Sequence, residues 1–178
     1  MTYITTALKS EAQAVVDKYK LKKRKLDNFT LFENNEITLI ISGIGINNMK
    51  RATSLLLNNF NILKNDSIIN IGICGANKKF EIGKLLEIGS IHYLDKKITL
   101  NNNIKNTITC LDSEISEDTF DIVDMESFGF YEATKELKNA RIFKVVSDHF
   151  QPDLVTKEKT KTLVFNVIED IIKRSIKK

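Results

Sequence analysis

Short apolar runs alternate along the chain with stretches whose apolar residues recur every three or four positions. Tyr3 to Ala7 is such a run. Ala12, Val15, Val16 and Tyr19 then mark the buried face of a helix beginning around Ser10. Phe29 to Phe32 and Ile37 to Ile41 are β-rich, and the polar Glu33-Asn34-Asn35-Glu36 between them predicts a hairpin. The second run continues into Ser42-Gly43-Ile44-Gly45 and a helix carrying Met49, Ala52, Leu55, Leu56 and Leu57. Ser67 to Ile71 is a buried strand leading into Gly72-Ile73-Cys74-Gly75. Leu86 to Leu94 is interrupted by Gly89-Ser90, Asn101 to Asn106 is a polar loop, and Ile108 to Leu111 is strand-like. Phe120 to Val123 is a strand running into Asp124-Met125-Glu126 and a helix to about Lys138. Arg141 to Val146 is a strand ending in Ser147-Asp148, and Lys157 to Ile176 is a closing amphipathic helix. Strands alternating with helices predict an α/β fold with a mixed, largely parallel central sheet and helices on both faces. With Pro152 the only proline, no linker and no internal repeat, residues 1–178 read as one domain.

Composition narrows the possibilities. At 42% hydrophobic and 28% charged residues, the chain is an ordinary globular protein rather than a disordered one. The net charge of +4 is concentrated in Lys20, Lys22, Lys23, Arg24 and Lys25 and in Lys173, Arg174, Lys177 and Lys178. No aromatics interleave with them, so they read as two solvated helix ends, not as a nucleic-acid surface. Cys74 and Cys110 are too few for a disulfide framework, and neither His92 nor His149 has a partner at ligand spacing; no metal and no cofactor is expected. Met1-Thr2-Tyr3-Ile4 lacks a basic leader, and no apolar run reaches ~18 residues, so the expectation is a cytoplasmic protein without a membrane partner.

Acids fall at the ends of strands. Glu11 lies just past the first, Glu126 just past Phe120–Val123, and Asp148 ends Arg141–Val146. In open α/β sheets ligands bind outside the carboxyl ends of the strands, so the three acids and the turns Gly43-x-Gly45 and Gly72-x-x-Gly75 would share one edge. Each has an ordinary alternative: Glu11 as a first-turn acid complementing a helix dipole, Ser147-Asp148 as a cap. Gly43-Ile44-Gly45 begins like a dinucleotide fingerprint, but Asn48 stands where its third glycine would be.

The order of Ala7-Leu8-Lys9-Ser10-Glu11, Ser42-Gly43-Ile44-Gly45, Asn70-Ile71-Gly72-Ile73-Cys74-Gly75-Ala76, Val123-Asp124-Met125-Glu126-Ser127 and Val146-Ser147-Asp148 resembles the nucleoside phosphorylase and nucleosidase superfamily. The nearest look is to 5′-methylthioadenosine/S-adenosylhomocysteine nucleosidases and futalosine hydrolases. The resemblance implies cleavage of the N-glycosidic bond of a purine nucleoside. By it, Glu11 is the acid that activates water, and Asp148 is the acid that protonates N7 of the departing purine. Glu126 holds the ribose hydroxyls with Met125 packed on the sugar, while Ile44, Ile73, Cys74, Gly75 and Ser147 line the nucleoside. It also implies a homodimer or higher homo-oligomer. Glu126 would stay ionised, and Lys144 would stand near the last motif as a cationic partner. Residues between Leu94 and Phe120, where the family places a lid or an aromatic on the base, are few here.

Two other readings follow from the same resemblance. Phosphorolysis would call for arginines at the strand ends, yet Asn70 stands where phosphorylases tend to carry one, and Thr5 to Lys9 offers no phosphate loop. A member that binds a nucleoside without acting on it is the other, and retention of Glu11, Glu126 and Asp148 weighs against it.

Overall fold

The computed structural model describes residues 1–176. In chain order the elements are β1 (Thr2–Thr6), α1 (Lys9–Tyr19), β2 (Lys22–Leu26), β3 (Phe29–Glu33), β4 (Ile37–Ile41), α2 (Ile46–Asn59), β5 (Ser67–Ala76), β6 (Leu85–Glu87), β7 (Ser90–Tyr93), β8 (Lys96–Thr99), β9 (Thr107–Cys110), β10 (Ile122–Asp124), α3 (Ser127–Thr134), β11 (Ala140–Asp148) and α4 (Lys157–Ile176). All eleven strands belong to one mixed sheet, with β4, β1, β5 and β11 parallel at its centre and antiparallel hairpins on its flanks.

Alternation along the central strands explains why helices cover both faces. Tyr3, Ile40, Ile68 and Ile142 pack with Met49, Ala52 and Leu56 of α2 and Phe128 and Phe130 of α3. Their neighbours Ile4, Leu39, Ile69 and Phe143 pack with Ala12 and Val15 of α1 and Val164, Ile168 and Ile171 of α4. Successive side chains point to opposite faces, so strands this uniformly apolar need cover on each side. The joint between α2 and α3 is close because residue 129 is glycine. A Cβ there would meet the carbonyl oxygen of Ile46 at 2.1 Å.

Three expectations change. Of the basic run at 20–25 only Lys20 ends a helix, as the C-cap of α1; residues 22–26 form β2, the exposed edge strand beside β3. Charged side chains are a common way of keeping such an edge from pairing with another chain. Residues 96–99 form a strand antiparallel to β7, too polar to be seen as one in the sequence. The third helix ends at Thr134 rather than near Lys138. Of the second basic cluster, Lys173 and Arg174 end α4, and Lys177 and Lys178 lie outside the described residues.

The long strand β5 positions the site. Along one edge its first half pairs with β1 as far as Asn70, and its last residues, Gly75 and Ala76, pair with Val123 and Ile122 of β10. Neither ladder reaches residues 71–74, so β1 and β10 diverge there. On the other edge β11 runs beside β5 until the register shifts between Val146 and Asp148, two residues now opposing one. Such bulges re-aim side chains, and this one sits where Asp148 leaves the sheet.

Candidate active site

The divergence of β1 from β10 opens a cavity of about 790 Å³ over the carboxyl ends of the central strands. Glu11, Glu126 and Asp148 all line it, as do Ile44, Ile73, Cys74, Gly75, Met125 and Ser147. The three acids are buried.

Glu11 fills the break in the sheet. One carboxylate oxygen, Oε1, accepts a hydrogen bond from Ile73 N at 3.0 Å, a backbone donor that β1 has left unpaired. Its Oε2 accepts from Ala7 N at 3.0 Å and Leu8 N at 2.8 Å, at the start of α1. The dipole role foreseen for a first-turn acid is therefore real, and it coexists with the cavity position. Burial raises the pKa of Glu11, opposed by these three N–H donors and by Lys144.

Glu126 joins two segments far apart in sequence. Its Oε1 accepts from Gly45 N at 2.9 Å, in the turn before α2, where Gly43 and Gly45 have φ of +84° and +100°. Glycine takes these angles without a Cβ penalty. Burial pushes the Glu126 carboxyl up to about 7; Lys144 and the Gly45 N–H oppose the rise, and the negative charges of Asp124 and Glu11 add to it. The expectation that Glu126 is simply ionised therefore changes: near neutrality it titrates, because burial penalises its charge more than Lys144 and the Gly45 N–H relieve it.

The cation is Lys144, on β11. Its Nζ lies 2.8 Å from Asp124 Oδ2, and both side chains are 1% exposed. Burial works against the ammonium, but Asp124, Glu126 and Glu11 outweigh it and hold the pKa above the usual lysine value. A Cβ on Gly72 would sit 3.1 Å from Lys144 Nζ and 3.2 Å from Glu11 Oε1. Glycine at that position leaves room for the lysine and the glutamate to come together. Asp124 also accepts from Ser127 N and Ser127 Oγ at 2.9 and 2.6 Å, fixing the start of α3 immediately beyond Glu126. Asp124 was seen only as part of a motif. A lysine within the apolar Arg141–Val146 run was the signal that a buried counter-charge existed, since lysines are almost never fully buried unpaired.

At the far side Asp148 Oδ2 accepts from Gln151 N at 2.9 Å, the capping role foreseen for it. Ser147 Oγ lies 2.5 Å from Asp148 Oδ1 and 3.1 Å from the carbonyl oxygen of Cys74. A serine hydroxyl has one hydrogen, and here two acceptors face it. The Cys74 thiol is buried, and burial pushes its pKa up, which leaves it an inert wall.

The remaining wall combines Leu111, Ser113, Glu114 and Ile115 after β9 with Val155, Thr156, Lys157 and Thr160 at the start of α4. The segment after β9 showed too little periodicity in the sequence to be recognised as lining. Among the described residues no arginine lines the cavity. Asn70, in the position considered for a phosphate ligand, is fully buried and donates to Thr5 O at 3.2 Å. Among the described residues no cluster of His, Cys, Asp and Glu could hold a metal ion, and no helix is long and apolar enough to cross a membrane.

This is the fold of purine nucleosidases. Structures that share it include a point mutant of the Helicobacter pylori 5′-methylthioadenosine/S-adenosylhomocysteine nucleosidase with 5′-methylthioadenosine in its active site (TM-score 0.79, 14% identity, 97% of this chain and 98% of that one). The Neisseria meningitidis nucleosidase in complex with methylthio-immucillin-A is similar to the same degree (0.79, 15% identity, 97% and 98%). Futalosine hydrolase of Helicobacter pylori follows (0.76, 14% identity, 97% of each chain). No family model and no curated protein matches the sequence. At such identities the likeness establishes the fold.

Proposed function

We propose that the protein is a purine nucleosidase that transfers the ribosyl group of a purine nucleoside, with or without a 5′ modification, to water. The observation that carries this reading is the meeting of Glu11, Glu126 and Asp148 on one cavity from three separate strand ends. In the reaction the C1′–N9 bond breaks and its electron pair moves onto the base. Asp148 gives a proton to N7, a form of general acid help typically worth ~10²–10⁴-fold. The sugar gains positive charge, which an ionised Glu126 favours while accepting hydrogen bonds from the ribose hydroxyls. Water adds to C1′ and loses a proton to Glu11, whose raised pKa suits a base. Free base and free sugar leave, and the proton on Glu11 returns through solvent to Asp148.

Lys144 keeps the acids apart in role. Paired with Asp124, it cancels one negative charge and so allows Glu126 to ionise near neutral pH. The absence of arginine from the lining supports water over phosphate as acceptor, because phosphate recognition commonly uses the bidentate arginine fork. The same reading has the chain acting in the cytoplasm, as one domain of a homo-oligomer, which light scattering on the purified protein would check. The reaction is tested by incubating the protein with a panel of purine nucleosides, with and without phosphate. Release of free base independent of phosphate is expected. Strong stimulation by phosphate with formation of ribose 1-phosphate would establish the phosphorylase instead, and no release from any nucleoside would leave only a binder.

A further inference from the structure

We propose that Lys9 and Lys157 form a cationic rim that selects nucleosides whose 5′ substituent ends in an anion; the inference rests on the nucleosidase reading and narrows its substrate class. Both lysines line the cavity of the three acids. Both are exposed, and among the described residues neither side chain enters an ion pair or a hydrogen bond.

Their neighbours on the same two helices are paired. α1 follows β1 and α4 follows β11, and β1 and β11 both run parallel to β5, so the two helices begin at the same edge of the sheet. Along the seam between them Lys18 meets Glu169 at 2.7 Å and Lys161 meets Asp17 at 2.6 Å. Lys9 and Lys157 are the first residues of α1 and α4. The helix dipole disfavours a cation at that end, where acids are the stabilising choice. Glu158, next along α4, lines a separate hollow with Asp17 and Lys161 and gives Lys157 no partner in the cavity. Two lysines thus stand at the mouth of one cavity, against local preference and without a counter-ion.

The other lining residues decide which part of a nucleoside meets them. With N7 at Asp148 and the ribose hydroxyls at Glu126, C5′ leaves the sugar from C4′, across the ring from the base. Asp148, Ser147, Glu126 and Met125 are then occupied by base and sugar, and the wall made by Lys9, Ser10, Thr156 and Lys157 remains for the substituent on C5′. At about 790 Å³ the cavity lies high in the ~300–1,000 Å³ range of small-molecule sites, with room beyond a bare nucleoside. Of the lining acids only Glu114 is exposed; it belongs to the segment after β9 and pairs with neither lysine. A carboxylate or phosphate at the end of the substituent supplies the missing counter-ion, and an ammonium group makes charge-assisted hydrogen bonds to either.

The test compares adenosine 5′-carboxylic acid with its 5′-carboxamide, which has the same shape and no charge, and adds adenosine 5′-phosphate as a third arm. Base release is measured for wild type, Lys9→Met, Lys157→Met, the double variant and Lys157→Arg, with melting curves to show that each is folded. Wild type should prefer the carboxylate to the carboxamide by about tenfold in kcat/KM, the lower end for a hydrogen bond to a charged group because the rim is exposed. The preference should reside in KM and shrink as ionic strength rises. Each single Lys→Met change should lower it, the double variant should bring the two substrates to parity, and Lys157→Arg should retain it. Whichever of carboxylate and phosphate is the better substrate identifies the anion. No preference in wild type, or a preference that survives in the double variant, would overturn the proposal and return both lysines to solvated surface charges. If wild type releases base from the carboxamide without favouring an anion, only the rim assignment fails. If it releases base from none of these compounds nor from adenosine, the nucleosidase reading fails and this inference with it.

Discussion

Replacing Lys144 by methionine keeps the length of the side chain and deletes its charge. Its ammonium and Asp124 are each 1% exposed and 2.8 Å apart, with Glu11 and Glu126 close enough to raise the lysine pKa. Removing one member of such a pair typically costs ~3–5 kcal/mol, because the remaining charge stays buried without compensation. For a chain of this length each kcal/mol lowers Tm by about 2–4 °C, so a fall of roughly 6–20 °C is expected. The loss should depend on pH with a definite sign. Glu126 is already raised to about 7 and Glu11 raised in the same direction, both held down in part by Lys144. Without the ammonium both rise further, so the native state binds more protons than the unfolded chain between the ordinary carboxylate range and above neutrality. Stability of the variant then increases as pH falls. Urea denaturation of both proteins at pH 5 and pH 8 should show the smaller deficit at pH 5. Adding Asp124→Asn should cost much less in the Lys144→Met background than alone, since the pair is already broken. A deficit under about 1 kcal/mol, or one equal at both pH values, would refute the account of a buried charge balance.

Other expected outcomes concern the acids. Asp148→Asn should lower kcat by ~10²-fold or more on a purine nucleoside, while an oxygen for Gln151 N remains and folding changes little. On a nitrophenyl riboside, whose leaving group needs no proton, the effect should be small; an equal loss there would mean that Asp148 is not the leaving-group acid. Because Glu126 must be ionised to act, kcat/KM should rise with pH through an apparent pKa of about 7, and Glu126→Gln should abolish that limb and weaken sugar binding. The stability sign is opposite. A carboxyl raised from 4.5 to about 7 disfavours the fold when ionised, so stability should decline by roughly 3 kcal/mol as pH rises across that interval. An activity limb at the ordinary glutamate position would show that the buried charges do not couple as described.

The parts of the molecule that local pattern could fix were legible in the chain. Lys157–Ile176 forms a helix with the bounds its periodicity gave, and the apolar runs at 37–41, 67–71 and 141–146 are the parallel strands of the centre. Helix and strand periods survive because they reflect which side of an element faces the core. Glu11, Glu126 and Asp148 could be picked out for a related reason: each stands where an apolar run ends, and strand ends are where an α/β sheet opens. The basic residues 20–25 misled because a polar edge strand carries no apolar face to mark its period.

Tertiary structure decided what those acids are. That Glu11 reaches Ile73 N across sixty-two residues depends on β1 and β10 parting along β5. The bulge before Asp148, the left-handed turn at Phe150 and the meeting of Lys144 with Asp124 depend on strand register, which no single segment specifies. Protonation follows from the same assembly. A carboxyl's pKa is set by its burial and by the charges that surround it. The sequence by itself determined the apolar elements of the centre, the two-faced sheet and the identity of the candidate acids. Only the fold, by burying Glu11 and Glu126 around one ammonium, raised the pKa values of these two carboxyls above the ordinary range.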